Sequence, residues 1–230
     1  MSASALFFGS IGTLAETSEL QRRAFNLTFA AADLDWIWDR ETYRRLLALP
    51  GGRERIARYA AATGDRVDAA ALHAEKKHHF AQILETQGAS TRPGVRELMA
   101  VARARGMRVA LVTTTDPDQL DGLLAALSFS RDDFDWVGDR TRVEAAKPAP
   151  DIYDAALCAL ALPAGDVTAL EDTPEGAEAA RAAGLRTLGV PGLAAAGRTF
   201  PEGVETLEEI DPGAILADTA GPDDLPHAAE

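Results

Sequence analysis

The chain has 230 residues, with 36 acidic against 23 basic side chains and a net charge of −13, a balance that argues against nucleic acid or an anionic membrane surface as partner, since both need a basic footprint. Its 47% hydrophobic content suits a globular core, and no apolar run approaches the roughly 20 residues that cross a bilayer. The length accommodates one large domain or a core with a smaller insert, and the start, Met1-Ser2-Ala3-Ser4-Ala5, lacks the basic and apolar stretches of a secretory signal, which makes the cytoplasm the expected location.

The first apolar run, Leu6-Phe7-Phe8, stops at Gly9-Ser10-Ile11-Gly12-Thr13-Leu14 and reads as a central strand delivering a loop. From Thr17 to about Gln87 the chain reads as almost wholly helical. Leu20, Ala24, Leu27 and Ala31 recur at helical spacing, as do Tyr43, Leu46, Leu47 and Leu49; Pro50-Gly51-Gly52 breaks the pattern, Arg53-Glu54-Arg55-Ile56 restarts it, and Asp65-Arg66-Val67-Asp68 precedes a fourth helix running to Gly88. His73, His78 and His79 lie with Lys76 and Lys77 on that last helix at spacings that do not match a metal pair, so a solvated helix face is expected.

Beyond Arg92-Pro93-Gly94 helices and short apolar strands alternate. Helices are expected over Val95–Ala104, Asp118–Leu127, Pro150–Leu162 and Pro174–Ala183, with strands over Arg108–Val112, Phe134–Val137, Val167–Leu170 and Leu185–Val190. Strands separated by single helices pair in parallel, which gives an α/β fold with a doubly wound parallel sheet. The expected division is a core of residues 1–16 and 88–218, a helical insert over 17–87, and a disordered tail over 219–230. Cys158, the one cysteine, sits in an apolar helical pattern and is expected to be a buried thiol.

In such sheets the site lies beyond the carboxyl ends of the strands, which directs attention to three groups. Glu171-Asp172-Thr173-Pro174 is either a divalent-cation site or a helix N-cap. Lys147, bracketed by prolines, is either a fixed cation for a phosphate or a solvated lysine. Thr113, Thr114 and Thr115 either present hydroxyl and amide donors to an anion or simply end a β-rich strand.

Taken in order, the Gly-Thr-Leu turn, the threonine-ended strand, the Lys-Pro loop and the strand ending in Glu-Asp resemble the motif series of the haloacid dehalogenase superfamily, a Rossmann-like core with an inserted helical cap. Leu14-Ala15-Glu16-Thr17, Arg22-Arg23-Ala24-Phe25-Asn26, Trp36-Ile37-Trp38-Asp39-Arg40 and Gly51-Gly52-Arg53-Glu54-Arg55-Ile56 are similar to the CbbY branch, related to the β-phosphoglucomutases. The resemblance implies a sugar-phosphate phosphatase, a hydrolase using Mg²⁺ held by Asp172 with Glu171 nearby, and substrate contacts from Thr113, Thr114, Lys147, Arg53, Ser18 and Gln21. It also identifies what is missing. The family's first motif is Asp-x-Asp-Gly-Thr-Leu, whose first Asp is nucleophile and metal ligand and whose second is the general acid and base; those positions are Gly9 and Ile11 here.

Losing a nucleophile costs on the order of 10⁴ to 10⁶ in rate, roughly 5 to 8 kcal/mol. Ser10 is no expected substitute, because alternation along a strand directs it away from the face of position 9. The cap side also departs: Ser18 replaces a family carboxylate, Gln21 a histidine, and Arg53 a lysine. The expectation is a phosphatase homologue that has lost hydrolysis but holds a small phosphorylated sugar, a pseudoenzyme with a reduced Mg²⁺ ligand set. The alternatives are an active or residual phosphohydrolase, and a structural module serving a protein partner.

Overall fold

The computed structural model describes residues 4–47, 51–195 and 197–217. Leu49, Pro50 and the tail expected over 219–230 lie outside the described residues. A six-stranded, wholly parallel sheet forms the centre, made of β1 (Ala5–Phe8), β2 (Arg108–Val112), β3 (Trp136–Gly138), β4 (Val167–Glu171), β5 (Arg186–Gly189) and β6 (Glu205–Thr206), in the order β3-β2-β1-β4-β5-β6. All four residues of β1 are fully buried, as a strand covered on both faces should be.

Alternation along these strands separates two core layers. Leu6, Phe8, Val109, Leu111 and Leu170 face one side with α6 (Val95–Ala104) and α7 (Pro117–Ala126). Ala5, Phe7, Ala110, Val112 and Ala169 face the other with α8 (Asp151–Leu160) and α9 (Pro174–Ala182). Phe8 stands opposite both Leu111 of β2 and Leu170 of β4. β2 and β4 run one residue beyond that level, and Gly9, Thr113 and Glu171 lie at one edge.

Between β1 and α6 the described residues form a single turn α1 (Ile11–Leu14) and four helices, α2 (Ser18–Ala31), α3 (Arg40–Leu46), α4 (Gly52–Thr63) and α5 (Ala69–Gln87). Their core is aromatic and distinct from the two sheet layers. Trp38, fully buried, meets Phe25, Phe29, Tyr43 and Tyr59 at ring-centroid distances of 4.7, 4.8, 6.2 and 5.4 Å. The stretch before α3 is not helical as expected, and Asn26 shows why. Its side chain both accepts from Trp38 N and donates to Trp38 O, each at 2.9 Å, so the backbone there satisfies its groups without a helical turn. The end of α5 leaves this aromatic cluster: Phe80, Ile83 and Leu84 pack into the sheet-side layer.

Two expectations about side chains are corrected. Cys158 is exposed, because the buried face of α8 is carried by Ile152, Tyr153 and Ala156. Lys76 is buried at 4% exposure, turned inward on α5 while Lys77 and His78 face outward. Helix α10 (Pro212–Leu216) and strand β6 were not expected from the pattern; both are very short. Among the described residues no helix is long and apolar enough to cross a membrane.

Candidate ligand site at the carboxyl edge of the sheet

Strand β1 stops at Phe8, and Gly9 hands the chain to a turn instead of continuing it. Gly9 N donates to Leu170 O at 2.8 Å, the last tie to the sheet. Ser10 then adopts an extended conformation and caps α1, accepting from Thr13 N at 3.3 Å while Thr13 Oγ1 donates to Ser10 O at 2.6 Å. This corrects the alternation argument, because Ser10 is past the strand. Its hydroxyl points to the site and donates to Asp172 Oδ1 at 2.5 Å.

Asp172 follows β4 and is buried. The N-cap role belongs to its neighbour Thr173, whose hydroxyl accepts from Gly176 N at 3.3 Å. Burial, and then the charge of Glu171, raise the Asp172 pKa to about 6, opposed by the Ser10 hydrogen bond and by Lys147. Glu171 itself is fully buried. Its Oε1 accepts from Lys147 Nζ and from Tyr153 Oη, both at 2.5 Å. Its Oε2 has no hydrogen-bond partner and packs over Gly176, where a Cβ would sit 2.2 Å from it. The Tyr153 phenol is held well above its ordinary pKa by burial, with Glu171 adding to the effect.

Lys147 is therefore neither solvated nor open to a ligand. Besides Glu171 it donates to Gly9 O, to Val112 O at 2.8 Å and, longer, to Tyr153 Oη at 3.3 Å, acceptors enough for all three of its protons. The volume that a side chain at position 9 would need is filled by this group. A Cβ built on Gly9 would lie 2.2 Å from Glu171 Oε1 and 2.2 Å from Tyr153 Oη.

A cavity of about 220 Å³ opens beside Asp172, walled by Ile11, Glu16, Ser18, Gln21, Phe80, Thr115 and Gln119 among others. Of the residues expected to form the site, Ile11, Ser18, Gln21 and Asp172 meet here. Thr113, Thr114, Lys147, Glu171 and Arg53 do not line it. Thr113 is buried and stabilises the wall instead, its hydroxyl 2.9 Å from that of Thr115. Thr114 is half-buried and Arg53 exposed. Glu16 ties the cavity's rim to the loop after β5 by accepting from Leu193 N at 2.7 Å and from Ser18 N at 2.8 Å. A larger space of about 500 Å³ between α5 and α7 is mostly apolar, shares Phe80 and Gln119 with the first and is not lined by Asp172; the smaller one is the candidate because the strand-end groups converge on it.

The sequence pattern did not mark Gln119 and Phe80 as wall residues, nor Ser10 and Tyr153 as members of the network. Thr115 was legible as the third of the strand-end threonines. Tyr153 was not, since a tyrosine in an amphipathic helix carries no mark that its hydroxyl reaches a carboxylate.

The donor set does not fit Mg²⁺. That ion needs near-octahedral oxygen ligation. Here position 9 offers no carboxylate, both Glu171 oxygens face inward, and Asp172 has one oxygen on Ser10 and the other against Gly12, where a Cβ would come within 1.8 Å of it. Among the described residues no cluster of three His, Cys, Asp or Glu has a metal-binding arrangement.

Comparison with known proteins places this geometry. The family model of haloacid dehalogenase-like hydrolases matches residues 4–184. Protein CbbY of Rhodobacter capsulatus is 42% identical over 223 residues, 94% of this chain and 98% of that relative. The crystal structure of CbbY from Rhodobacter sphaeroides in complex with phosphate superposes with a TM-score of 0.81 at 38% identity, covering 94% of this chain and 99% of that one. A mutant of the same protein in complex with xylulose 1,5-bisphosphate gives 0.78 at 38% identity, over 90% and 95% of the two chains.

Proposed function

The chain belongs to the haloacid dehalogenase-like hydrolases, in their CbbY-like branch, and from that premise we propose that it binds a phosphorylated sugar between the sheet edge and the helical segment without cleaving the ester by an aspartyl route. The observation that carries the reading is the filled position 9. A nucleophile must reach phosphorus from the end of β1, and there the backbone of Gly9 is backed by Tyr153 and Glu171 with no carboxylate presented. At position 11 isoleucine offers no proton to the leaving oxygen.

In this reading residues 17–87 form the cap and residues 1–16 with 88–218 the core. Ser18, Gln21, Thr115 and Gln119 supply neutral donors to the ligand in the cavity, and Thr113 holds Thr115 in place. Thr114 and Arg53, outside the cavity wall, are groups that a longer ligand meets. The family generally uses Mg²⁺; binding here is proposed to be independent of it, because the ligand set is incomplete and Asp172 is engaged by Ser10. The relatives support the ligand class, one having been crystallised with phosphate and, as a mutant, with xylulose 1,5-bisphosphate.

Titration calorimetry with xylulose 1,5-bisphosphate tests this. Saturable binding with and without magnesium, weakened by Gln21→Ala, is expected. Magnesium-dependent phosphate release abolished by Asp172→Ala contradicts it.

One observation favours a second reading, a residual phosphohydrolase. The Ser10 hydroxyl sits 2.5 Å from a carboxylate that could accept its proton during attack on phosphorus. Turnover that survives removal of contaminants and disappears in Ser10→Ala would establish it in place of the first.

A further inference from the structure

Arg92 opens the Arg92-Pro93-Gly94 turn, where the chain returns from the helical segment to the sheet layers, and it has no part in the site as described. Its placement is fixed from both sides. Arg92 N donates to Leu14 O at 2.7 Å, which ties it to the end of the α1 turn. Gly94 takes a φ of +82°, and a Cβ there would come within 1.8 Å of Ile210 O, so the turn requires glycine and sets the direction from which residue 92 approaches.

The half-buried guanidinium directs its donors to backbone carbonyls. Nη1 donates to Gly12 O at 3.2 Å and to Val190 O at 2.7 Å, and Nη2 donates to Pro191 O at 3.4 Å. Glu97, Glu208, Glu209 and Asp211 border the space on its outer side, yet its hydrogen bonds run inward to these uncharged groups. Five N–H groups in a planar fork can span two chain segments at once, whereas the single nitrogen of a lysine cannot reproduce that geometry.

The two segments are the walls that enclose Asp172. A Cβ on Gly12 would sit 1.8 Å from Asp172 Oδ2, and one on Gly192 would sit 3.4 Å from the same oxygen. Gly192 N donates to Asp172 O at 3.3 Å, and Val190 N donates to Glu171 O at 2.7 Å. At the far end of the loop Leu193 N donates to Glu16 Oε2 at 2.7 Å. The loop after β5 is thus gripped by Arg92 at Val190 and Pro191 and by Glu16 at Leu193, and between the two grips Gly192 closes on Asp172. Gly12, Glu16 and Asp172 all line the 220 Å³ cavity.

We propose that Arg92 is a positioning residue for ligand binding, which clips the α1 turn to the loop after β5 and so fixes the spacing of Gly12, Glu16 and Asp172 in the cavity wall without itself lining the cavity. The inference rests on the phosphosugar reading above for its ligand, while the clip has a readout that needs no ligand. Removing the fork leaves three carbonyls to water and frees the loop from Val190 to Leu193. The wall at Asp172 then widens, and groups placed for the ligand no longer converge on it.

The test compares the full chain with Arg92→Lys, which keeps the positive charge, and with Arg92→Ala, by titration calorimetry with xylulose 1,5-bisphosphate and by amide hydrogen exchange. Expected in both variants is binding weakened by about tenfold or more, with faster exchange at Gly192 and Leu193 and unchanged protection in β2 and around Trp38. Methylguanidinium at millimolar concentration should restore part of the binding in Arg92→Ala. Glu97→Gln, which alters a charge near Arg92 but no bond of its fork, should bind as the unmodified chain does. Arg92→Lys that binds as tightly as the unmodified chain, or a loss in Glu97→Gln equal to that in Arg92→Lys, overturns the inference, because charge alone then accounts for the effect. Weakened binding in Arg92→Lys with protection lost across the whole fold also overturns it. If the unmodified chain binds no bisphosphate, the phosphosugar reading falls and exchange alone decides the clip: acceleration confined to Gly192 and Leu193 in Arg92→Lys supports it, and unchanged exchange there overturns it.

Discussion

Tyr153 Oη and Glu171 Oε1 are joined by a hydrogen bond of 2.5 Å directly behind Gly9, in the space where a side chain at position 9 would begin. The absence of a carboxylate at position 9 is therefore matched by packing around it. Introducing an aspartate there is not a simple addition.

Gly9→Asp should destabilise the protein by about 1 to 3 kcal/mol through overpacking, and by more through a third buried carboxylate facing Glu171 and Asp172. Glu171 Oε1 ends a flexible side chain and can shift, whereas the Tyr153 ring is fully buried and cannot. Adding Tyr153→Phe to Gly9→Asp should recover part of the loss. Urea unfolding of the two variants checks the order; equal stability of Gly9→Asp and the unmodified chain would show that position 9 is open.

Lys76 gives the alkaline side of the stability profile. Its folded pKa lies at about 7, below that of an ordinary lysine, so between that value and the unfolded pKa the unfolded chain binds more protons. Stability attributable to this group rises with pH across that window and is flat below it. Lys76→Met should remove the rise, and its stability at pH 6 should exceed that of the unmodified chain, because no ammonium is then buried. Thermal unfolding at a series of pH values measures both.

Asp172 works in the opposite direction at acid pH. Its folded pKa of about 6 lies above the ordinary aspartate value of 3.8, so the folded chain binds more protons between the two. Its contribution is favourable below the unfolded pKa and is lost as pH rises through about 6. Asp172→Asn should flatten that part of the curve, measured by the same unfolding series; a flat curve in the unmodified chain would contradict the assignment.

Trp38→Ala should cost about 3 to 5 kcal/mol, since the ring is fully buried among four others. If residues 17–87 act as a separate cap, the added hydrogen exchange should concentrate in α2, α3 and α4. Protection of β1, β2 and β4 should change little. Uniform loss of protection would show that the segment and the sheet open as one unit.

The sheet was legible in the sequence because buried parallel strands are continuous apolar runs, and Arg108–Val112 was bounded to the residue by Gly106 and Thr113. Helix α6 was equally clear, its strong amphipathic period ending at Arg105-Gly106. What failed depended on single side chains. The inward turn of Lys76 was hidden by charged neighbours that point outward, and Cys158 was assigned by an apolar neighbourhood when only one face of α8 is covered. The placement of Ser10 turned on where β1 stops, a boundary one residue earlier than strand alternation needs. Motif spacing named the strand-end groups, but not that Lys147 and Glu171 would face each other away from the cavity.

Whether the chain holds a phosphosugar and leaves its ester intact is decided by ³¹P magnetic resonance of the purified protein with a stoichiometric amount of xylulose 1,5-bisphosphate. Two shifted or broadened resonances of the bound ligand that persist unchanged, with and without magnesium, are expected. A growing resonance of inorganic phosphate that depends on magnesium and vanishes in Asp172→Ala would contradict this expectation.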